Sequence, residues 1–226
     1  MGERVEAGGK VEKRWTRRKD ARPAEIVAAA LDCFAERGFA GTRLDDVASR
    51  AGVTKGTVYL YFANKEELFK AVVRETLLPH LDRVLGDLEG TPEDPRERIR
   101  QAFDFLSGKL LGTPLAVIPK LVIAEAGNFP EIARFHLDEV VGPVRAFLAG
   151  AIRRGVELGH FRPVEPDHTF YTLVAPLLLA AMWQNSLGPY DDRPLDGAAM
   201  IRQHLDIVFR GIAPDAPAPG RTARLP

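Results

Sequence analysis

Cysteine is almost missing from this chain. Of 226 residues only Cys33 is a cysteine, so no intramolecular disulfide can form. An apolar run of about 18 to 20 residues is also missing, so no segment reads as a membrane span. The opening MGERVEAGGKVEKRWTRRKD is charged and has no apolar stretch, which speaks against a secretory signal. Net charge is absent too, with 31 basic and 31 acidic residues, which argues mildly against a promiscuous nucleic-acid binder. His80, His136, His160, His168 and His204 are dispersed without zinc-ligand spacing. No P-loop, G-x-S-x-G or Rossmann glycine pattern occurs. The expectation is therefore a cytoplasmic protein that is not an enzyme, with no metal, no cofactor and no membrane partner.

What is present is helical periodicity broken by Gly and Pro. The chain is 46% hydrophobic and 27% charged, enough for a real core in one large domain or two small ones. Lys10, Lys13, Arg14, Arg17, Arg18, Lys19 and Arg22 crowd the N-terminal end. They read either as a solvated tail or as an arm reaching phosphates. A first helix is expected from about Pro23 to Arg37, with Ile26, Ala30 and Phe34 on one stripe. Gly38 suits the left-handed position after its end, and Phe39 folds back onto the stripe. Cys33 reads as a packing residue, because no activating neighbour is visible.

The stretch GVTKGTVYLYFANKEELF, residues 52–69, holds the sharpest signal. A second helix is expected from Thr42, with Thr42 and Asp45 at capping-box spacing. Gly52 ends it, and Thr54 caps a third helix whose Val58 and Phe62 share a face. Lys55, Gly56, Thr57, Tyr59 and Tyr61 are then left facing away from the core. Two short helices around a Gly-containing turn make a helix-turn-helix, whose second helix presents free N–H groups and donors to a DNA groove. Asn64 caps a fourth helix, and Lys65 in its first turn opposes the helix dipole unless it meets a phosphate.

The run AALDCFAERGFAGTRLDDVASRAGVTKGTVYLYFANKEELFKAV is dense with residues typical of one family. Over residues 23–72 the chain resembles the TetR family of bacterial transcriptional regulators. The resemblance implies an all-α fold of about nine helices. A three-helix helix-turn-helix DNA-binding domain is joined by a linker helix, about Asn64 to Leu88, to a larger helical effector-binding and dimerisation domain. The expected organisation is a basic arm without fixed structure at 1–20, the DNA-binding domain at 21–68, the helical ligand-binding and dimerisation domain at 69–213 and a Pro-rich disordered tail at 214–226. Carried over by position, Thr42 and Arg43 correspond to phosphate contacts. Thr54, Lys55, Gly56, Thr57, Tyr59, Leu60 and Tyr61 correspond to recognition-helix contacts, and Lys65 to a phosphate contact on the linker.

Further helices are expected at about 95–111, 115–127, 129–159 (bent near Gly142-Pro143), 167–187 and 195–212. In the family the last two pair with their symmetry mates, so a homodimer is implied; filling a monomer core is the other use for them. Phe103, Phe105, Phe135, His136, Phe147, Tyr171, Met182 and Trp183 are candidates to line an effector pocket, with Glu125, Asn128 or Gln184 to orient a ligand. Each reads equally as core. The function expected is a dimeric regulator on a near-palindromic double-stranded DNA operator, a repressor released by an apolar small molecule. The alternative is a regulator without such an effector, controlled by a protein partner or by abundance.

Overall fold

The computed structural model describes residues 11–87 and 94–214; the side chains of 11–21 and of Asp87 lie outside that description. Among the described residues the chain is helical and holds no strand. The helices are α1 Val11–Gly41, α2 Leu44–Arg50, α3 Lys55–Tyr61, α4 Lys65–Thr76, α5 Leu78–Asp87, α6 Pro95–Leu110, α7 Val117–Glu125, α8 Pro130–His136, α9 Gly142–Glu157, α10 Pro166–Gln184 and α11 Gly197–Gly211. A π-helical segment, Leu137–Val141, fuses α8 to α9, and only Leu77 separates α4 from α5. The described residues are therefore all-α, as the resemblance implied, with α8 running on into α9. No single described helix is long and apolar enough to cross a membrane.

Two boundaries differ from expectation. α1 begins at Val11, not Pro23, so residues 11–20 extend the helix instead of forming a disordered arm. VEKRWTRRKDAR has neither Gly nor Pro and is rich in helix formers, which outweighs the hydrogen bond lost at Pro23. The rest of the arm, residues 1–10, and the tail from 215 onward lie outside the described residues. The linker expected over 64–88 is two helices. Pro79 has no N–H for the Glu75 carbonyl, and its ring disfavours the helical conformation of Leu78.

The chain forms two compact units. The first comprises the described residues up to Pro79 together with Leu121–Ala133; the second comprises His80–Lys120 and the remainder from Arg134. The division therefore falls inside α5, α7 and α8.

In the first unit α1 packs on α2 and α4, and α2 packs on α3. Ile26, Ala30 and Phe34 are fully buried, as their four-residue spacing on α1 requires. Gly38 takes φ 73°, a left-handed conformation that L side chains rarely adopt, and so turns Phe39 back into the core. The Phe34, Phe39 and Phe69 rings pack with centroids 5.5 and 5.6 Å apart. Phe129, from the 121–133 segment, meets Phe39 edge-on at 4.8 Å. Each such pair contributes about 0.5–1.5 kcal/mol beyond its burial.

In the second unit α6 packs on α9 and α11, and α10 packs on α9 and α11. Ile99, Phe103, Ile118, Leu148, Ile152, Leu173 and Ile201 fill its core. Asp94 caps α6 by accepting from the Arg96 backbone N–H at 2.9 Å. Burial pulls the Asp94 carboxyl upward, but the Arg96 guanidinium and N–H and the His160 ring outweigh it and hold it at about 2. Within one chain α10 buries one side. Phe170, Leu173 and Leu177 are inside, while Tyr171 and Leu179, with Ile207 of α11, are more than half exposed.

Candidate nucleic-acid interface

The helix-turn-helix is α2, a turn and α3. The turn closes through the Val53 N–H, which donates to the Ala48 carbonyl at 3.0 Å, with Gly52 at φ 65°. Thr54 then caps α3: its hydroxyl oxygen accepts from the Thr57 N–H at 3.2 Å. Val58, with 0% exposure, and Phe62 anchor the helix. A seven-residue helix with its buried face fixed this way exposes a defined set on the other side. Thr54, Lys55 and Gly56 are exposed at its start, and Tyr59 and Leu60 are 48% and 73% exposed. Thr57 and Tyr61 sit half-buried at the rim, and Arg43 is exposed just before α2. A leucine so exposed on a helix otherwise committed to packing offers apolar contact to a partner.

Lys55 is already paired. Its ammonium lies 2.9 Å from an Asp45 carboxylate oxygen, across the turn, and 6.0 Å from the Tyr59 ring centroid. The hydrogen bond to Asp45 raises the Lys55 pKa, so the side chain stays cationic. Asp45 was missed as part of this face. Its spacing from Thr42 predicts a capping box, whereas the residue before α2 is Arg43 and no side chain caps that helix. The only available signal was the charge pattern.

Two expected phosphate contacts are turned inward. The Thr42 side chain is buried, and its hydroxyl donates to the Gly38 carbonyl at 2.7 Å and the Cys33 carbonyl at 3.1 Å. It closes the end of α1, because the turn at Gly38 leaves carbonyls there that need donors. The Lys65 ammonium donates to the carbonyls of Phe39, Ala40 and Thr42 at 2.7, 3.2 and 3.1 Å and lies 4.5 Å from the Phe39 ring centroid. Three protons meet three carbonyls, so neither side chain has a donor left for a phosphate. Burial lowers the Lys65 pKa. Cys33 is buried, which pushes its thiol pKa up and keeps it a packing residue.

The residues proposed for a pocket separate. Phe105 and Phe147 come together, partly buried, against Val84, Ala102 and Leu106. Phe103 and Phe135 are buried, and Met182 and Trp183 are half-buried. Burial lowers the His136 pKa to about 4, so its ring is neutral, and its Nδ1 has no hydrogen-bond partner. Tyr171 is 57% exposed, with its hydroxyl accepting from Arg145 at 2.7 Å, so it lies on the surface. Glu125 belongs to the first unit: it accepts from the Ala40 N–H at 3.3 Å and from the Asn128 amide at 3.2 Å. Gln184 accepts from the Gly112 N–H at 3.1 Å. All three are engaged within the fold, Gln184 through its carbonyl oxygen and Asn128 through its amide nitrogen.

A family model for bacterial regulatory proteins of the tetR family matches residues 26–72. The chain is 29% identical over 177 residues to the HTH-type transcriptional regulator RutR of Escherichia coli (strain K12), covering 71% of this chain and 74% of that protein. It is 30% identical over 152 residues to the HTH-type transcriptional regulator YfiR of Bacillus subtilis (strain 168), covering 66% and 72%. The crystal structure of the transcriptional regulator FadR from Bacillus subtilis in complex with stearoyl-CoA shares the fold, with TM-score 0.71 at 21% identity over 84% of this chain and 98% of that one. Motif, helix order, exposed α3 face and relatives agree: the chain belongs to the TetR family of DNA-binding transcriptional regulators.

Proposed function

We propose that the protein is a dimeric repressor that leaves its operator when a small-molecule effector binds. The observation that carries the DNA-contact assignment is the exposed α3 face, Thr54, Lys55, Gly56, Tyr59 and Leu60, on a helix whose other side is anchored by Val58. The helix start offers N–H groups and the positive end of its dipole to a phosphate. Lys55 exchanges Asp45 for a phosphate, and Tyr59 and Thr57 donate to phosphates or base edges. Arg43 reaches the flanking backbone.

One seven-residue helix makes few contacts, so specificity calls for two copies reading half-sites about 34–36 Å apart on a near-palindromic operator. The exposed apolar residues of α10 and α11, Tyr171, Leu179 and Ile207, support pairing through those helices. FadR in complex with stearoyl-CoA is a precedent for a ligand in this fold. An effector in the second unit would act through α5, α7 and α8, the helices in which the chain passes between the units. Ligand and DNA must then weaken each other's binding by the same factor.

The test is a titration of the protein against DNA upstream of its own reading frame, with mass by size exclusion alongside. The expected result is a dimer binding tightly, specifically and with strong salt dependence. A monomer without sequence preference on that DNA and on randomised DNA overturns the reading.

A further inference from the structure

The second unit holds a partly buried apolar patch with a cation at each end. Arg98, Ala102, Phe105 and Lys109 follow one another at intervals of four, three and four along α6, so they form one stripe. Val84 of α5 and Phe147 of α9 flank it; Val84 and Ala102 are buried, and Phe105, Leu106 and Phe147 pack partly buried against them. The Arg98 guanidinium lies 5.6 Å from the Phe147 ring centroid. Arg83 and Lys109 lie 5.6 and 5.8 Å from that of Phe105, and the His80 ring meets Phe105 at 6.2 Å.

Arg98 is the anomaly. Its Nε is buried and has no hydrogen-bond partner, and among the described residues no carboxylate pairs with Arg98 or Lys109. Glu97 and Asp104 lie on the neighbouring exposed stripe, where Glu97 accepts from Gln101. A buried guanidinium N–H with no acceptor is a rare and costly arrangement that calls for a reason. A neutral apolar ligand would cover Arg98 further without pairing it. An anion would supply the missing acceptor, and a guanidinium is the cation best shaped to hold a carboxylate or phosphate.

We infer that this patch binds an amphipathic anion, its apolar part against Phe105 and Phe147 over Val84 and Ala102 and its carboxylate or phosphate on Arg98. The inference rests on the effector reading above and names the chemical class of that effector. Lys109 stands about 16 Å along the helix from Arg98, at about 1.5 Å per residue, so the patch suits an elongated molecule.

The experiment is isothermal titration of the full-length protein with myristate, myristoyl-CoA and 1-tetradecanol, repeated on Arg98→Met. Methionine keeps an apolar stem on Phe147, and an unchanged thermal midpoint establishes that the variant is folded. The expected result is that one of the two anions binds wild type at least tenfold tighter than the alcohol. Arg98→Met should reduce that preference below threefold and leave the alcohol's affinity unchanged. Preference for the free acid identifies a carboxylate as the group held; preference for the thioester identifies the phosphates. Equal affinity for anion and alcohol, no binding of either anion, or a preference that survives in Arg98→Met each overturn the inference. Operator affinity measured with the same ligands separates the two readings. Charge-selective binding that leaves operator affinity unchanged keeps the anion site and sinks the effector role. Release by the neutral alcohol without charge preference does the reverse.

Discussion

The two units of this protein treat their buried polar groups in opposite ways. In the first, the Thr42 hydroxyl and the Lys65 ammonium are taken up completely by backbone carbonyls of the last part of α1 and of Thr42. In the second, Arg98 Nε, His136 Nδ1, Arg145 Nε and His204 Nε2 are buried without partners; these four are the orphaned buried side-chain atoms among the described residues. In the reading unit, among the described residues, the buried polar side chains are satisfied within the fold. The larger unit has unsatisfied groups inside. A scaffold that must hold a helix at a fixed angle gains from saturation, whereas one that must accept a further molecule keeps hydrogen-bonding capacity in reserve.

The most severe challenge to the reading unit is Val58→Asp, which puts an unpaired charge at a position with no exposure. It should cost more than about 4 kcal/mol and unfold the DNA-binding unit, seen as lost helical signal and lost operator binding. His136 tests the larger unit. Its folded pKa of about 4 lies below the unfolded value near 6.5, so the unfolded chain takes up a proton that the fold refuses. Stability should be flat above about pH 6.5 and fall as pH drops, by roughly 2 kcal/mol at pH 5, reaching its full loss near pH 4. Denaturation midpoints at pH 7.5 and 5 measure this, and His136→Gln should remove most of the difference.

Lys65→Met and Thr42→Val separate scaffold from contact. Each strips donors from α1 carbonyls and should cost about 1–3 kcal/mol in denaturant unfolding. Their operator affinity, measured where both remain folded, should match wild type; a reduced salt slope would restore them as phosphate ligands. The smallest effects belong to the exposed face. Lys55→Ala and Tyr59→Phe should leave the melting curve in place and weaken operator binding, Lys55→Ala with a salt slope reduced by about one. Normal binding by both would move the reading surface elsewhere.

What was legible in the sequence was local. Thr54 and Asn64 cap α3 and α4 as their positions required, the Asn64 side chain accepting from the Glu67 N–H at 2.7 Å. Gly38 turns left-handed, and the Ile26–Ala30–Phe34 stripe is buried, because three- and four-residue spacings carry that information. The inward partners of Lys65 and Thr42 were not legible because they are set by a turn, not by a spacing: the carbonyls that hold Lys65 lie 23 to 26 residues earlier in the chain. Pro79 was a readable break that the apolar pattern of the linker masked. Among the pocket candidates, aromatic residues at helical spacing carry no mark of which end faces solvent. Tyr171 and Phe103 look alike in sequence, and only the packing of α9 on α10 puts one outside.

The segment Leu121–Ala133 has a consequence for anyone recombining such proteins. Phe129 on Phe39, and Glu125 on the Ala40 N–H, tie it to the turn that ends α1. The DNA-reading head is therefore not one continuous stretch of gene. A chimera that grafts residues up to Pro79 onto a foreign sensor would bring a head with its lower plug missing. Two crossovers, the second around 121–133, would transplant it whole, and the need for that second piece would show as a lower melting temperature in the single-crossover hybrid.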